Sequence, residues 1–193
     1  LHVCDRNLEQ IQRNQIDNTK AKHNLLVDVC MAAQFEGASI SGRYRQHQLT
    51  NKGSQLCTVL ARSFADIGDI VRGRDLYLGY DDEEKKKRKQ LDENLKKIFA
   101  KIHNNLNNPE AKTHYEDKDP EKNFFKLRED WWNANRQEIW KAITCEVKSG
   151  SQYFRRTCGS GETQHVTPSQ CRCSDNPNTD PPTYFDYVPQ YLR

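Results

Sequence analysis

The chain has one Met and none at its start. It has no signal-peptide core and no apolar run near the 18 residues that a membrane span needs. It is therefore read as a piece of a longer protein, with any export signal or membrane anchor outside it. Aliphatic material is scarce: Leu, Ile, Val and Phe together number 38 of 193 residues. Charge of one sign is scarce too, since 30 basic and 27 acidic residues leave a formal net charge of +3. That near-balance argues against disorder, which wants few apolar residues and a large net charge together. It also gives no support to nucleic-acid binding, for which no module is recognisable. No C-x-x-C pair occurs, which argues against a zinc ribbon or a thioredoxin-like motif. No G-x-S-x-G, H-E-x-x-H or phosphate-binding glycine loop occurs, so no enzyme is expected and no cofactor is called for. An Asn-x-Ser/Thr sequon is absent as well, which fits a source that uses little N-glycosylation.

What is present is sulfur. Seven cysteines in a chain with a thin core point to an oxidising compartment, where disulfides replace missing apolar burial. Cys4, Cys30, Cys57 and Cys145 lie in or beside expected helices, and Cys158, Cys171 and Cys173 lie in the tail. The odd count leaves one thiol free or paired beyond the chain. A rival use is zinc held by Cys158, His165, Cys171 and Cys173, but that spacing fits no common pattern, and no metal site is assigned.

Helical periodicity dominates the first three quarters. Leu25, Val29 and Ala33 repeat every four residues. Leu56, Leu60, Phe64, Ile67 and Val71 follow the spacing of one buried face, as do Leu91, Leu95, Ile98, Ile102 and Leu106. A fourth helix is expected to open at Asp119-Pro120, an N-cap before a proline, and to run through Trp131 and Trp132 to about Cys145. A weaker helix is expected around Leu8 and Ile11. Residues 37–53, 73–80 and 104–119 are read as connections. The fold expected is an all-α, disulfide-stapled bundle over 1–148. An irregular, Cys- and Pro-rich segment over 149–193 would follow the surface.

The anion-binding candidates are basic. Lys85, Lys86, Lys87, Arg88 and Lys89 form a run, but Asp81, Asp82, Glu83 and Glu84 precede it at the i,i+4 spacing of ion pairs and in the first turn of a helix. A self-neutralised helix start is the stronger reading of that run. Arg43, Arg45, Lys52, Arg155 and Arg156 complete the candidates, the last two following Tyr153 and Phe154. Trp131, Trp132 and Trp140 are assigned to the core.

Ala65-Asp66-Ile67-Gly68-Asp69-Ile70-Val71-Arg72-Gly73-Arg74-Asp75-Leu76-Tyr77 resembles the signature block of alpha-class Duffy-binding-like domains, found in the variant erythrocyte membrane protein 1 family of malaria parasites. So do the opening Leu1-His2-Val3-Cys4-Asp5-Arg6-Asn7-Leu8, the Trp131-Trp132 helix, Cys171-Arg172-Cys173 and the stretch Pro182-Thr183-Tyr184-Phe185-Asp186-Tyr187-Val188-Pro189-Gln190-Tyr191-Leu192-Arg193. The resemblance spans the chain. It implies the second, helical subdomain of a three-subdomain fold and the start of the third. It implies bridges Cys4–Cys30 and Cys57–Cys145. One of Cys171 and Cys173 would pair with Cys158, and the other with a cysteine of the third subdomain.

By the same resemblance the function is adhesion at the extracellular face of the infected erythrocyte. The expected partner is a host receptor, either a sulfated, heparan-sulfate-like glycan, a blood-group sugar or a complement receptor, in red-cell rosetting. Host antibodies are further expected partners of a surface that varies under immune pressure. The alternative is an architectural module whose neighbours do the binding.

Overall fold

The computed structural model describes residues 21–48, 55–77, 79–148, 151–173 and 181–193, with the side chains of 45–48 excluded. The described residues form five α-helices: α1 Ala21–Gln48, α2 Leu56–Arg72, α3 Asp82–Asn104, α4 Pro109–His114 and α5 Phe125–Ile143. Three single 3-10 turns follow, at Gly161–Thr163, Phe185–Tyr187 and Gln190–Leu192. None of these helices is long and apolar enough to cross a membrane. The expected helix around Leu8 and Ile11 lies outside the described residues.

Helix α5 is the centre of the bundle and packs on α1, α2 and α3. Its Trp132 and Trp140 are fully buried and meet Phe64 of α2 at ring-centroid distances of 5.1 and 5.3 Å. Trp131 meets Phe99 of α3 edge-on at 6.1 Å. Such aromatic pairs add about 0.5–1.5 kcal/mol each beyond the burial of their area. They help a core whose aliphatic share is low. Most of the expected buried faces of α1, α2 and α3 are the observed ones: Leu25, Val29, Ala33, Leu60, Phe64, Ile67, Val71, Leu91, Leu95, Ile98 and Ile102 are buried, while Leu56 is partly covered and Leu106 lies past the end of α3.

Two helix boundaries differ from the expectation, and a short helix lies in the 104–119 connection. Helix α1 runs on to Gln48 through the stretch read as a loop. Gly37 does not break it. A Cβ there would stand 1.9 Å from the Ile143 carbonyl oxygen, so the glycine lets α1 and α5 touch backbone to backbone. Helix α5 starts at Phe125, not Asp119. The Asp119 carboxylate is taken up by the Glu121 amide at 3.0 Å and the Asn123 amide group at 2.8 Å. Those local bonds make a turn instead of a helix start. The cap-and-proline signal is satisfied earlier, where Asn108 accepts from Glu110 and Ala111 and Pro109 opens the short α4.

The tail is also more than a surface wrapping. Tyr153, Thr167, Cys171, Thr183 and Asp186 are buried in it. Arg172 reaches back to close the end of α5, donating to the Lys141 carbonyl at 2.6 Å and the Thr144 hydroxyl at 2.7 Å. Two disulfides fasten it, Cys57–Cys171 and Cys158–Cys173. The Cys57–Cys145 bridge implied by resemblance is not formed. Cys145 sits exposed just past α5, while Cys57 is buried where the tail passes and takes Cys171 instead. Cys171 thus finds its partner inside this chain, and Cys158 pairs with Cys173 as one of the two expected choices. Cys30 is a free thiol, and Cys4, its partner by resemblance, lies outside the described residues. The zinc set loses Cys158, Cys171 and Cys173 to these bonds.

Candidate receptor-binding surface

The signature block builds the C-terminal half of α2 and its exit. Gly73 closes the helix in the left-handed region, at φ 72°, where only glycine is unstrained. Its amide donates to Ile70, and the Arg74 amide donates to Asp69, the two bonds of a Schellman cap. The fully buried Arg128 of α5 donates to the Val71 carbonyl at 2.7 Å and, as a second donor beside the Gly73 amide, to the Ile70 carbonyl at 3.1 Å, and it pairs with Asp92 of α3 at 3.2 Å. A cation at a helix C-terminus is favoured by the helix dipole. Burial pulls the Arg128 pKa below its ordinary value, and Asp92 opposes that pull.

The closing stretch of the chain docks on the same block. Arg72, buried at the end of α2, donates to Asp69 at 3.0 Å, to Glu129 at 3.3 Å and to the Asp186 carbonyl. Arg193 pairs with Asp66 at 2.7 Å and with Asp69. Gln190 accepts from the Leu76 amide at 2.8 Å and donates to Asp75 at 3.1 Å. Desolvation raises the Asp66 pKa, against the pull of Arg193. These two strings carried much of the resemblance, and they are each other's binding partners. Asp66, Asp69, Arg72, Asp186 and Arg193 are therefore scaffold.

The basic run follows on α3. Asp81 caps the helix, accepting from the Glu84 amide at 2.7 Å, and Asp82, Glu83 and Glu84 occupy the first turn. Of the four expected pairs, Glu83–Lys87 forms at 3.4 Å. Lys85 pairs with Asp82 at 3.6 Å instead of with Asp81, whose carboxylate caps the helix. Glu84 accepts from the Tyr77 hydroxyl at 3.1 Å and from the Tyr80 amide at 2.9 Å. Arg88 reaches Asp75 at 2.9 Å and lies over the Tyr77 ring at 5.1 Å. Desolvation, together with the bond to Glu84, pushes the Tyr77 pKa up to about 12.

The positions 85, 88, 89 and 92 share one face of α3 by their i, i+3, i+4, i+7 spacing. That face borders a cleft of about 460 Å³ between α3 and the connection leaving α2, lined by Ile70, Tyr77, Lys85, Arg88, Lys89 and Leu91 among others. The structure thus gathers Lys85, Arg88 and Lys89 at one site. A smaller cleft of about 230 Å³ lies across the Asp75–Arg88 pair and is lined by Arg62, Tyr80, Gln190 and Arg193. Lys86 and Lys87 are exposed but line neither cleft. Arg43 is exposed on α1, and Arg155 and Arg156 are exposed in the tail, also outside both clefts. Arg45 has no described side chain, and Lys52 lies outside the described residues. Tyr77 and Asp75 were not picked out from the sequence. The signal that could have found them is the connection that the signature block shares with the basic helix face.

The model of the Duffy binding domain family matches residues 1–193. The NTS-DBL1(alpha-1) domain of Plasmodium falciparum membrane protein 1 (PfEMP1), varO strain, is 41% identical with a TM-score of 0.76. The match covers 99% of this chain and 40% of that one. An ICAM-1-binding PfEMP1 DBLbeta domain is 30% identical with a TM-score of 0.69, over 100% of this chain and 39% of that one. A PfEMP1 DBLb domain bound to human ICAM-1 is 29% identical with a TM-score of 0.64, over 99% of this chain and 36% of that one. The chain therefore spans 36–40% of the length of these three structures. No curated protein sequence matches. On the family match over its whole length and the 41% identity, the chain belongs to the Duffy binding domain family.

Proposed function

We propose that the chain is part of a receptor-binding adhesion module. It would work on the extracellular face of the infected erythrocyte as part of a variant surface antigen of the PfEMP1 kind, and it would catalyse nothing. The observation that carries this reading is its likeness, at 30% identity over its whole length, to a domain that binds ICAM-1. Exposed cations on a rigid, disulfide-fastened frame support contact by charge with a host-cell partner, in red-cell rosetting through glycans or a protein receptor. The test is adhesion of the protein that carries this chain to red cells and to immobilised heparin across a salt series. Contacts made by charge weaken as salt screens them. Binding that fades between about 0.05 and 0.5 M salt, on either surface, is the expected result. Absence of binding to both would overturn the reading.

The second reading is an architectural module whose neighbours bind. It is favoured by one observation: the two signature strings bind each other, Arg193 on Asp66 and Asp69 and Arg72 on the Asp186 carbonyl. Adhesion carried wholly by neighbouring domains, with this domain silent, is what that reading requires.

A further inference from the structure

Helix α1 is apolar on two faces. One looks into the bundle, where Leu25, Val29, Ala32 and Ala33 are buried against the neighbouring helices. The opposite face looks outward. Val27, Met31 and Phe35 stand on it about one turn apart and are 55, 47 and 54% exposed. Ala38 and Gly42 continue the same row, both exposed, and a Cβ added at Gly42 meets nothing within 4 Å. No Asp, Glu, Lys or Arg interrupts the row, in a chain that is 30% charged. Single apolar side chains on a surface are ordinary, but an aligned, uncharged row about four turns long calls for a cover.

The size of the row says what kind of cover. Three half-exposed side chains and two small residues fall well short of the roughly 800 Å² that each side of a stable interface buries. A separate partner or a second copy would gain too little here to offset its lost freedom. A segment already joined to α1 avoids that loss, because a short connection sets its effective concentration. Outside the described residues, 49–54 carries one Leu, and 149–150 and 174–180 carry no aliphatic or aromatic residue. Residues 1–20 lead straight into α1, and their Leu1, Cys4, Leu8 and Ile11 follow the three-and-four spacing of one helical face. Asp17, Asn18 and Thr19 then supply residues that favour a reversal of the chain. We propose that residues 1–16 fold back along α1 as an antiparallel helix, with Leu8 and Ile11 over Met31 and Val27. Counted outward from a reversal over 17–20, Ile11 and Leu8 come within a turn of those two residues, and four residues is a usual length for joining two helices. The row then belongs to the frame and not to the surface open to a host receptor. The proposal does not rest on the adhesion reading.

Met31 is the only methionine of the chain, so its oxidation by hydrogen peroxide reports on the cover. The rate is read by mass spectrometry of the peptide that holds Met31, in the protein that carries this chain. Met31 should be oxidised at least tenfold more slowly in the folded protein than in urea. Leu8→Asp with Ile11→Asp should speed the folded rate at least fivefold. Leu8→Ala with Ile11→Ala, which adds no charge, should speed it at least threefold. Gln10→Asp with Asn14→Asp adds the same charge away from the Leu8–Ile11 side and should change it less than twofold. Circular dichroism verifies that each variant is folded, and the alanine pair decides where the aspartate pair does not fold. A folded protein oxidised nearly as fast as in urea overturns the proposal, since the row is then bare. Protection that survives replacement of Leu8 and Ile11 overturns it too, and assigns the cover to a different occupant.

Discussion

Arg136 meets Asp186 side-on, with Nε to Oδ2 and a terminal nitrogen to Oδ1 both at 2.8 Å. The Asp186 side chain is fully covered, and its Oδ2 also accepts from the Trp132 indole at 2.9 Å. A forked pair of this kind is strong when buried, because its geometry fixes both charges and the indole satisfies a further lone pair. Removing one partner leaves the other charge uncompensated. Asp186→Ala should cost about 3–5 kcal/mol. Asp186→Asn retains an acceptor for Trp132 and should cost less. Chemical denaturation followed by tryptophan fluorescence measures both, and equal stability of the alanine variant and the parent would refute the assignment.

The two disulfides close loops of very different length, with sequence separations of 114 and 15. Chain entropy makes the long one worth roughly 4–5 kcal/mol and the short one roughly 3 kcal/mol. Replacing Cys57 and Cys171 together by Ser should therefore lower the melting temperature more than replacing Cys158 and Cys173. The reverse order in calorimetry would contradict the pairing.

Two glycines of α1 should respond in opposite ways to alanine. At Gly37 the new methyl meets the Ile143 backbone, which cannot move aside as a side-chain tip can. Gly37→Ala should cost about 1–3 kcal/mol, the range for overpacked sites. At Gly42 an added Cβ meets nothing within 4 Å. Gly42→Ala should stabilise by roughly 0.5–1 kcal/mol through helix propensity. Paired urea titrations suffice, and destabilisation at Gly42 would show that the helix is not continuous there.

The half-buried Cys30 thiol is pushed up to about 11 by burial, with Glu138 adding to the effect. A raised thiol pKa means less thiolate at any lower pH, so reactivity climbs with pH until about 11. At pH 8 only about one molecule in a thousand is ionised there, against roughly a quarter for an ordinary cysteine. Iodoacetamide labelling with mass spectrometry should find Cys30 about a hundredfold slower than an unfolded cysteine at pH 8. Rapid labelling at neutral pH would show that the α1–α5 seam is open.

The helical faces of α2 and α3 were legible because burial imposes steps of three and four residues on the sequence itself. The polar, mixed stretch 37–53 misled, since Gly37 permits close packing of α1 on α5 and the helix runs on to Gln48. Asp119-Pro120 misled because a cap signal competes with local turns, and Asn123 supplied the winning bond. Pairing of cysteines cannot be read from spacing, and Cys171 went to Cys57 because the tail crosses the start of α2. The bond of Arg193 to Asp66 joins residues 127 apart and leaves no local trace. At the candidate site, the shared face of Lys85, Arg88 and Lys89 was implicit in their spacing. The cleft itself depends on where the exit of α2 passes α3, which no short stretch of sequence encodes.

The Cys57–Cys171 bond has a mechanical corollary. Adhesion between cells in a moving fluid stretches the molecules that hold them. Tension entering ahead of α2 and leaving beyond Cys171 crosses the sulfur atoms directly, so α2, α3, α4 and α5 sit on a slack side-branch. In single-molecule pulling, the oxidised chain should hide roughly 400 Å of contour length, at about 3.5 Å for each residue in the loop. A reductant should release that length. The aromatic centre and the face presented to a partner would keep their shape under drag that unravels an uncrosslinked bundle.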